Sequence, residues 1–254
     1  MNIENKKKIQ KDFIKNGYCI FKIKNKENLN YIRNKIENLT KIKNLNSFHQ
    51  NFDKSKLNHK RLNIFKSLNK DQKLRKYYYN IFKDALSDIV GNELMMQKKI
   101  NLNIQIPHDQ NSLIDMHADS YSGESNFEVI SWLPLVNVYS TKSMYVLPLR
   151  QSMKIEKEIA KYNNKGTDSI FEKYKKNIKF LKLNFGEGLI FSSNILHGNK
   201  VNLTEQTRFS FNCRFKSVFT PQNFNFTNKT NSNMYSNVSL KPASALGMEY
   251  IQDI

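Results

Sequence analysis

Cysteine is scarce. The 254 residues carry two, Cys19 and Cys213, far apart and in no C-x-x-C pair. That excludes a disulfide framework and points to a reducing compartment. Long apolar runs are also missing. No stretch approaches the ~20 apolar residues of a membrane span. The basic N-terminus, MNIENKKKIQKDF, has no apolar segment after it and does not read as a signal peptide. These absences set the expectation of a cytoplasmic chain with no membrane partner. Arginine is the third shortage. Lys and Arg together number 41 against 22 Asp and Glu, for a net charge of +19, yet only Arg33, Arg61, Arg75, Arg150, Arg208 and Arg214 are arginine. The side chain that reads bases and phosphates bidentately is therefore rare. Lysine is spread along the chain beside abundant asparagine, with no aromatic–basic platform for single strands. The charge reads as a solvated surface. A basic nucleic-acid-binding module stays as an alternative function.

What is present is a folded composition, 39% hydrophobic and 12% aromatic, without internal repeats. We expect one domain over 1–254 in three parts. Residues 1–95 read mainly as helix with one early strand. KKKIQKDFIKNG places Ile9, Phe13 and Ile14 on one helical face and stops at Gly17; YCIFKI follows as a strand. Leu29, Ile32, Ile36 and Leu39 recur at three and four residues, as do Leu74, Tyr78, Ile81, Phe82, Leu86 and Ile89. After Met96 the period becomes two. In KINLNIQI, Ile100, Leu102, Ile104 and Ile106 alternate with Asn101, Asn103 and Gln105. FEVISWLPLVNV, SMYVLPL, FLKLNF, GLIFSS and TRFSFNCRFKSVF are further strands. Residues 96–219 thus form a strand-rich core, with a Lys-rich helical insertion over 151–179 broken at Asn163 to Gly166. The tail, 220–254, reads as loop with some order. Helices followed by many strands predict an α+β fold whose sheet closes as a sandwich or barrel.

Inside this frame lies DMHADS. On a strand, residues two apart share a face, so His117 and Asp119 would project together. H-x-D alone does not specify a metal site. EGLIFSSNILHGN supplies the third ligand, an apolar strand ending in His197. Two histidines and one carboxylate are the donor set that binds Fe(II) while leaving positions open for substrate and oxygen. In TRFSFNCRF, alternation puts Arg208, Ser210, Asn212 and Arg214 on one face and Phe209, Phe211, Cys213 and Phe215 on the other. An arginine facing a barrel interior is costly unless paired, and a ligand carboxylate would satisfy it bidentately. A structural salt bridge is the other reading. His108 beside Pro107 reads as loop; His49 and His59 lie in polar surroundings and read as solvated; Trp132 and Tyr145 read as core.

These residues, in this order, resemble the Fe(II)/2-oxoglutarate-dependent dioxygenases, and within them the phytanoyl-CoA hydroxylase-like group. FIKNGYCIFKI resembles the family's opening helix and strand, and SWLPLVNVYSTKSMYVLPLRQS its central strand, turn and return strand. The chain departs from the family at Thr141–Met144, where a turn of the N-G type is usual, and at Pro148–Ser152, which carries no histidine. STKSMY and NIQIPHD resemble a bacterial subgroup tied to surface-carbohydrate gene clusters. The resemblance implies a double-stranded β-helix (jelly-roll) core with N-terminal and inserted helices packed outside. It implies Fe(II) held by His117, Asp119 and His197. The 2-oxoglutarate C5 carboxylate would be held by Arg208, eleven residues after the distal histidine, with Ser210 completing R-x-S. Asn103 and Gln105 would contact the C1 carboxylate or the substrate, or serve as ordinary sheet amides. O2 is the co-substrate. A carboxylate at 119, where related halogenases carry a small residue, implies hydroxylation. The implied substrate is a small molecule, with a sugar or sugar nucleotide as the narrower expectation. A cupin-like metal-binding protein without oxygenase activity is the nearest alternative.

Overall fold

In the computed structural model, α1 (Ile3–Asn16) ends where Gly17 takes a left-handed φ of 79° and its N–H bonds the Phe13 carbonyl at 2.8 Å. A Cβ at this glycine would also come within 2.5 Å of Ile195, so both backbone and space demand glycine. The structure describes residues 3–51, 53–158, 166–221 and 234–252. Of the predicted α1 face, Ile9 is buried and Phe13 packs on the core, but Ile14 is 76% exposed. The helix is covered by β1 (Tyr18–Lys22) and α4 (Gln72–Ile89) along one narrow stripe. Ile14 lies about 100° around from Phe13 and misses that stripe.

Asn25 caps α2 (Lys26–Thr40) by accepting the Asn28 N–H, and the helix buries Leu29, Ile32 and Ile36 as its periodicity predicts. Asp71 caps α4 in the same way, and that helix buries Leu74, Tyr78, Ile81, Phe82 and Leu86. Between them lies α3 (Leu57–Asn69), which the sequence reading did not single out. Its buried residues, Leu57, Ile64 and Leu68, are too few among polar neighbours to raise a clear period.

The remaining strands are β2 (Leu94–Gln97), β3 (Asn101–Gln105), β4 (Val129–Pro134), β5 (Tyr145–Val146), β6 (Lys179–Phe180), β7 (Glu187–Ser192), β8 (His197–Gly198), β9 (Arg208–Ser217) and β10 (Tyr235–Ser239). The larger sheet runs β1-β7-β4-β9-β2-β10, with β3 also on β9. The smaller one runs β6-β5-β8. Their pairings are antiparallel. β9 is the spine of the larger sheet. Its Phe209, Phe211, Cys213 and Phe215 have no exposed surface and face the helical layer, where Phe209 stacks edge-on against Phe48 and Phe211 against Tyr78. The opposite face of β9 is thereby left to the cavity between the sheets.

Several expectations change. Of FLKLNF only Phe180 lies in a strand, as the last residue of β6, and Leu183 makes a single bridge to Val138. The insertion holds α5 (Leu149–Lys157) and α6 (Gly166–Tyr174). The expected break falls on 163–165, outside the described residues, and on Gly166, the first residue of α6. The tail is more ordered than a loop: β10 pairs with β2, and α7 (Pro242–Gln252) follows. In YSNVS only Tyr235 is buried, so no alternation announces the strand. Both cysteines are buried and free. No helix among the described residues is long and apolar enough to cross a membrane.

Candidate functional site

His117, Asp119 and His197 each offer one ligand atom, and these atoms lie within 4.8 Å of one another. The expected i, i+2 projection is present, though not on a strand. His117 makes an isolated two-way bridge with His197, N–H to carbonyl at 3.0 and 2.9 Å, and Asp119 opens a 3-10 turn over Asp119–Ser122. Ala118 between them is extended (φ −113°, ψ 138°), which is enough to put both side chains on one side. His197 is likewise not the end of GLIFSS. β7 stops at Ser192, and the chain turns before β8 begins at His197 in the other sheet. The triad is therefore stitched by main chain where the two sheets meet.

Each imidazole is oriented by a carbonyl: His117 Nδ1 lies 2.8 Å from the Asp115 oxygen, and His197 Nδ1 lies 3.0 Å from that of Ile195. A carbonyl can only accept, so Nδ1 carries a proton in each ring and Nε2 is the nitrogen left to face a ligand. Burial, reinforced by His117, pulls His197 down to about 4, so it is neutral at pH 7 as a ligand must be. Burial alone would raise the Asp119 carboxyl. Positive charge on His197, Arg214 and His117, with a hydrogen bond from Arg214, outweighs burial and holds it below its ordinary value. With His197 neutral, Arg214 is the lasting partner, its Nη2 donating to Oδ1 at 2.9 Å.

The triad opens onto a cavity of about 130 Å³ between the sheets, which Arg208, Ser210, Asn103 and Trp132 also line. Arg208 is 3% exposed. Its guanidinium donates to Asn103 Oδ1 at 2.7 Å and to the Lys142 carbonyl at 3.3 Å, and sits 6.0 Å over the Trp132 ring. Its Nε and the Ser210 hydroxyl are buried without a hydrogen-bond partner among the described residues. Burial draws the guanidinium down to about 9. No carboxylate lies within ion-pair distance of it among the described residues. A buried cation held only by neutral acceptors is expensive, and these two orphaned donors face the space where an anion would satisfy both. The three triad side chains, Arg208 and Ser210 thus share one chamber.

The other sequence-predicted residues divide. Asn103 stands opposite Ser210 across the β3–β9 ladder and lines the cavity; Gln105, opposite Arg208, does not. The Gln105 side chain is fully buried and gives its amide to the Lys200 carbonyl at 2.7 Å. That contact makes it a sheet amide and corrects the expectation that it faces the ligand. Trp132 both packs and lines the cavity, whereas Tyr145 belongs to a separate core cluster with Phe171. His108 is exposed in a loop at φ 58°, and His59 is exposed on α3. His49 is not solvated as expected: it is half-buried, with Nδ1 2.9 Å from Thr207 Oγ1.

Two residues were missed. Arg214 sits on the strand face that alternation assigned to it, but nothing in TRFSFNCRF says that it meets Asp119. Lys142 is fully buried in the turn after β4, its ammonium donating to Asn46 Oδ1 at 2.7 Å and Gln206 Oε1 at 2.8 Å. Burial, then the Arg208 charge, pulls it down to about 8. In the unfolded chain it holds its proton up to the ordinary lysine range, so between about pH 8 and 10.5 the unfolded state binds more protons and stability rises with pH. Relative to wild type, Lys142→Met should lose that rise, about 3 kcal/mol across the window. Urea melts at pH 7 and pH 10 measure it; parallel pH curves for the two proteins would contradict it.

No family model matches the sequence, and no curated protein matches it. Solved structures do resemble it. A non-heme α-ketoglutarate-dependent carbocyclase, SnoK from nogalamycin biosynthesis, aligns over 92% of this chain and 93% of its own at a TM-score of 0.61 and 11% identity. The α-ketoglutarate-dependent epimerase SnoN of the same biosynthesis aligns over 94% of each chain at 0.56 and 11%. HygX from Streptomyces hygroscopicus, solved with nickel and 2-oxoglutarate bound, aligns over 87% and 89% at 0.54 and 13%. The likeness establishes the shared fold: helices outside an antiparallel jelly roll, an α+β fold as the strand and helix patterns predicted and the jelly roll that the resemblance implied.

Proposed function

We propose that this chain is an Fe(II)- and 2-oxoglutarate-dependent oxygenase that hydroxylates a small molecule. One observation carries the reading: the His117, Asp119 and His197 ligand atoms and the orphaned donors of Arg208 and Ser210 line the same buried cavity. A protein that only stored metal would have no use for a desolvated arginine there. The donor set fits iron(II): two imidazole nitrogens and one carboxylate, with the cavity open on their far side. Iron(II) with 2-oxoglutarate and O2 supplies the chemistry: the co-substrate is split to succinate and CO2, and one oxygen atom goes to succinate while the other enters a substrate C–H bond.

In this reading the two imidazoles and Asp119 hold the metal, and the carbonyls of Asp115 and Ile195 fix the ring orientations. Arg208 binds the distal carboxylate of 2-oxoglutarate, Ser210 donates to the same group, and Asn103 keeps the guanidinium aimed. Trp132 and Phe191 wall the chamber against water. Beyond Asn103 and Ile114, which line both, lies a larger cleft of about 580 Å³ bordered by Lys54, Asn58, Arg61, Asn111 and Ser112. Amides, a hydroxyl and two cations suit a substrate rich in hydrogen-bonding groups. That supports a sugar or sugar nucleotide, and with it the phytanoyl-CoA hydroxylase-like group and its carbohydrate-cluster branch. The remaining elements of the proposal are a single domain over 1–254, a cytoplasmic setting and no nucleic-acid or membrane partner.

The test is a screen of sugar nucleotides with Fe(II), 2-oxoglutarate and O2, read by mass spectrometry. One substrate should gain a single oxygen in step with succinate. Iron binding without any 2-oxoglutarate binding would return the chain to the cupin-like, metal-binding class.

A further inference from the structure

From Asp119 a buried charge chain runs outward, starting at Arg214, which lines the cavity beside it. Arg214 reaches two carboxylates at once: Nη2 lies 2.9 Å from Asp119 Oδ1, and Nη1 lies 3.8 Å from Glu124 Oε1. Glu124 Oε2 accepts from the Tyr235 hydroxyl at 3.2 Å, and the same hydroxyl lies 2.7 Å from Glu128 Oε2. Lys216 closes the chain, 3.5 Å from Glu128 Oε1 and 4.1 Å over the Tyr235 ring. Glu124, Glu128 and Tyr235 are 6%, 1% and 3% exposed. Burial pushes Glu128 up to about 7 despite the hydrogen bond from Tyr235 and the charge of Lys216. Glu124 is the carboxyl of the two that faces Arg214.

This arrangement has a consequence for any cation at the triad. A guanidinium on the liganding carboxylate competes with a metal for the same negative charge and repels it as well. Glu124 draws on the same guanidinium from the other side. We infer that Glu124 is a positioning residue that sets the metal affinity of the triad through Arg214, offsetting the arginine's charge so that Asp119 stays available to a cation. The inference rests on the metal-binding reading. It also gives the C-terminal strand β10 a role at the site, since Tyr235 holds Glu124 in place.

The experiment is a Co(II) titration of the whole chain, followed by the visible absorption of the bound ion, with thermal melts of the metal-free proteins alongside. Glu124→Gln keeps the shape and the acceptor for Tyr235 but removes the charge. It should weaken Co(II) by roughly tenfold. In an Arg214→Met background the same Glu124→Gln change should have less than about a twofold effect, because the charge it offsets has gone. Both effects should appear with melting temperatures too close to account for them. An unchanged Co(II) affinity in Glu124→Gln overturns the inference, and so does the same tenfold loss in both backgrounds. Failure of the underlying reading looks different: wild type itself would bind no Co(II), or would bind it equally well as His197→Ala.

Discussion

Replacing Arg208 with methionine should abolish 2-oxoglutarate binding at concentrations that saturate the wild type, while leaving metal affinity and fold intact. Wild-type Arg208 is a buried cation with neutral acceptors, an orphaned Nε and Lys142 close enough to add repulsion. In the free protein it is a burden on stability. Its removal should therefore leave the ligand-free melting temperature unchanged or raise it. The 2-oxoglutarate complex is a different matter, because a desolvated carboxylate then loses a charge-assisted, two-pronged contact. That loss is on the order of 3 kcal/mol, about a hundredfold in affinity. Arg208→Lys should recover only part, since an ammonium cannot present the same fork. The measurement is the rise in melting temperature caused by 2-oxoglutarate in the presence of a redox-inert metal. A residue kept for structure would show the reverse: a lower ligand-free melting temperature and an undiminished 2-oxoglutarate response.

That Arg208 faces the cavity was legible in the sequence, and the cost of burying it is the reason. TRFSFNCRF contains a run that is costly to fold as it stands: an arginine among alternating phenylalanines must reach solvent, a carboxylate of the protein, as Arg214 does, or a ligand. The same alternation that buried Phe209, Phe211, Cys213 and Phe215 aimed Arg208 and Ser210 at the cavity. β3 was legible for the same reason, yet its period could not separate Asn103 from Gln105. Both amides lie on one face, and only the path of the loop carrying Lys200 decides that Gln105 is consumed by a backbone carbonyl. Periodicity reports a face; it does not report what crosses that face.

Long-range contacts were the illegible part. Arg214 was visible as a polar-face residue, but its partners Asp119 and Glu124 come from a turn some ninety positions earlier. Tyr235 comes from a short strand in a polar tail. α3 and β10 escaped because each buries only a few side chains, so local pattern carries almost none of the free energy that fixes them. Lys142 escaped for the opposite reason: a lysine in a turn is ordinarily solvated, and only the packing of the segment Leu45–Gln50 over it makes it a buried strut.

At the triad itself, His197→Ala should reduce Fe(II) or Co(II) affinity by at least about a hundredfold, a larger loss than any neighbouring residue produces. On the proposed reading the imidazole is one of three ligands, held neutral at pH 7 by burial, and alanine offers no donor atom in its place. The bridge that joins the sheets here is made by the main chains of His117 and His197 and survives the substitution. What the fold loses are the ring's contacts with Phe191 and His117, at 4.8 and 4.3 Å between centroids, and its hydrogen bond to the Ile195 carbonyl. That costs about 1–3 kcal/mol in the manner of other buried truncations. Phe191→Leu makes a similar hole from the other side and should show that stability loss with metal affinity nearly intact. His108→Ala, in an exposed loop, should change neither. If His197→Ala and Phe191→Leu weakened metal binding equally, the loss would be a matter of packing and His197 would not be a ligand. If His197→Ala alone bound no metal while its melt matched that of Phe191→Leu, the ring nitrogen, and not the volume of the ring, would be what the site requires.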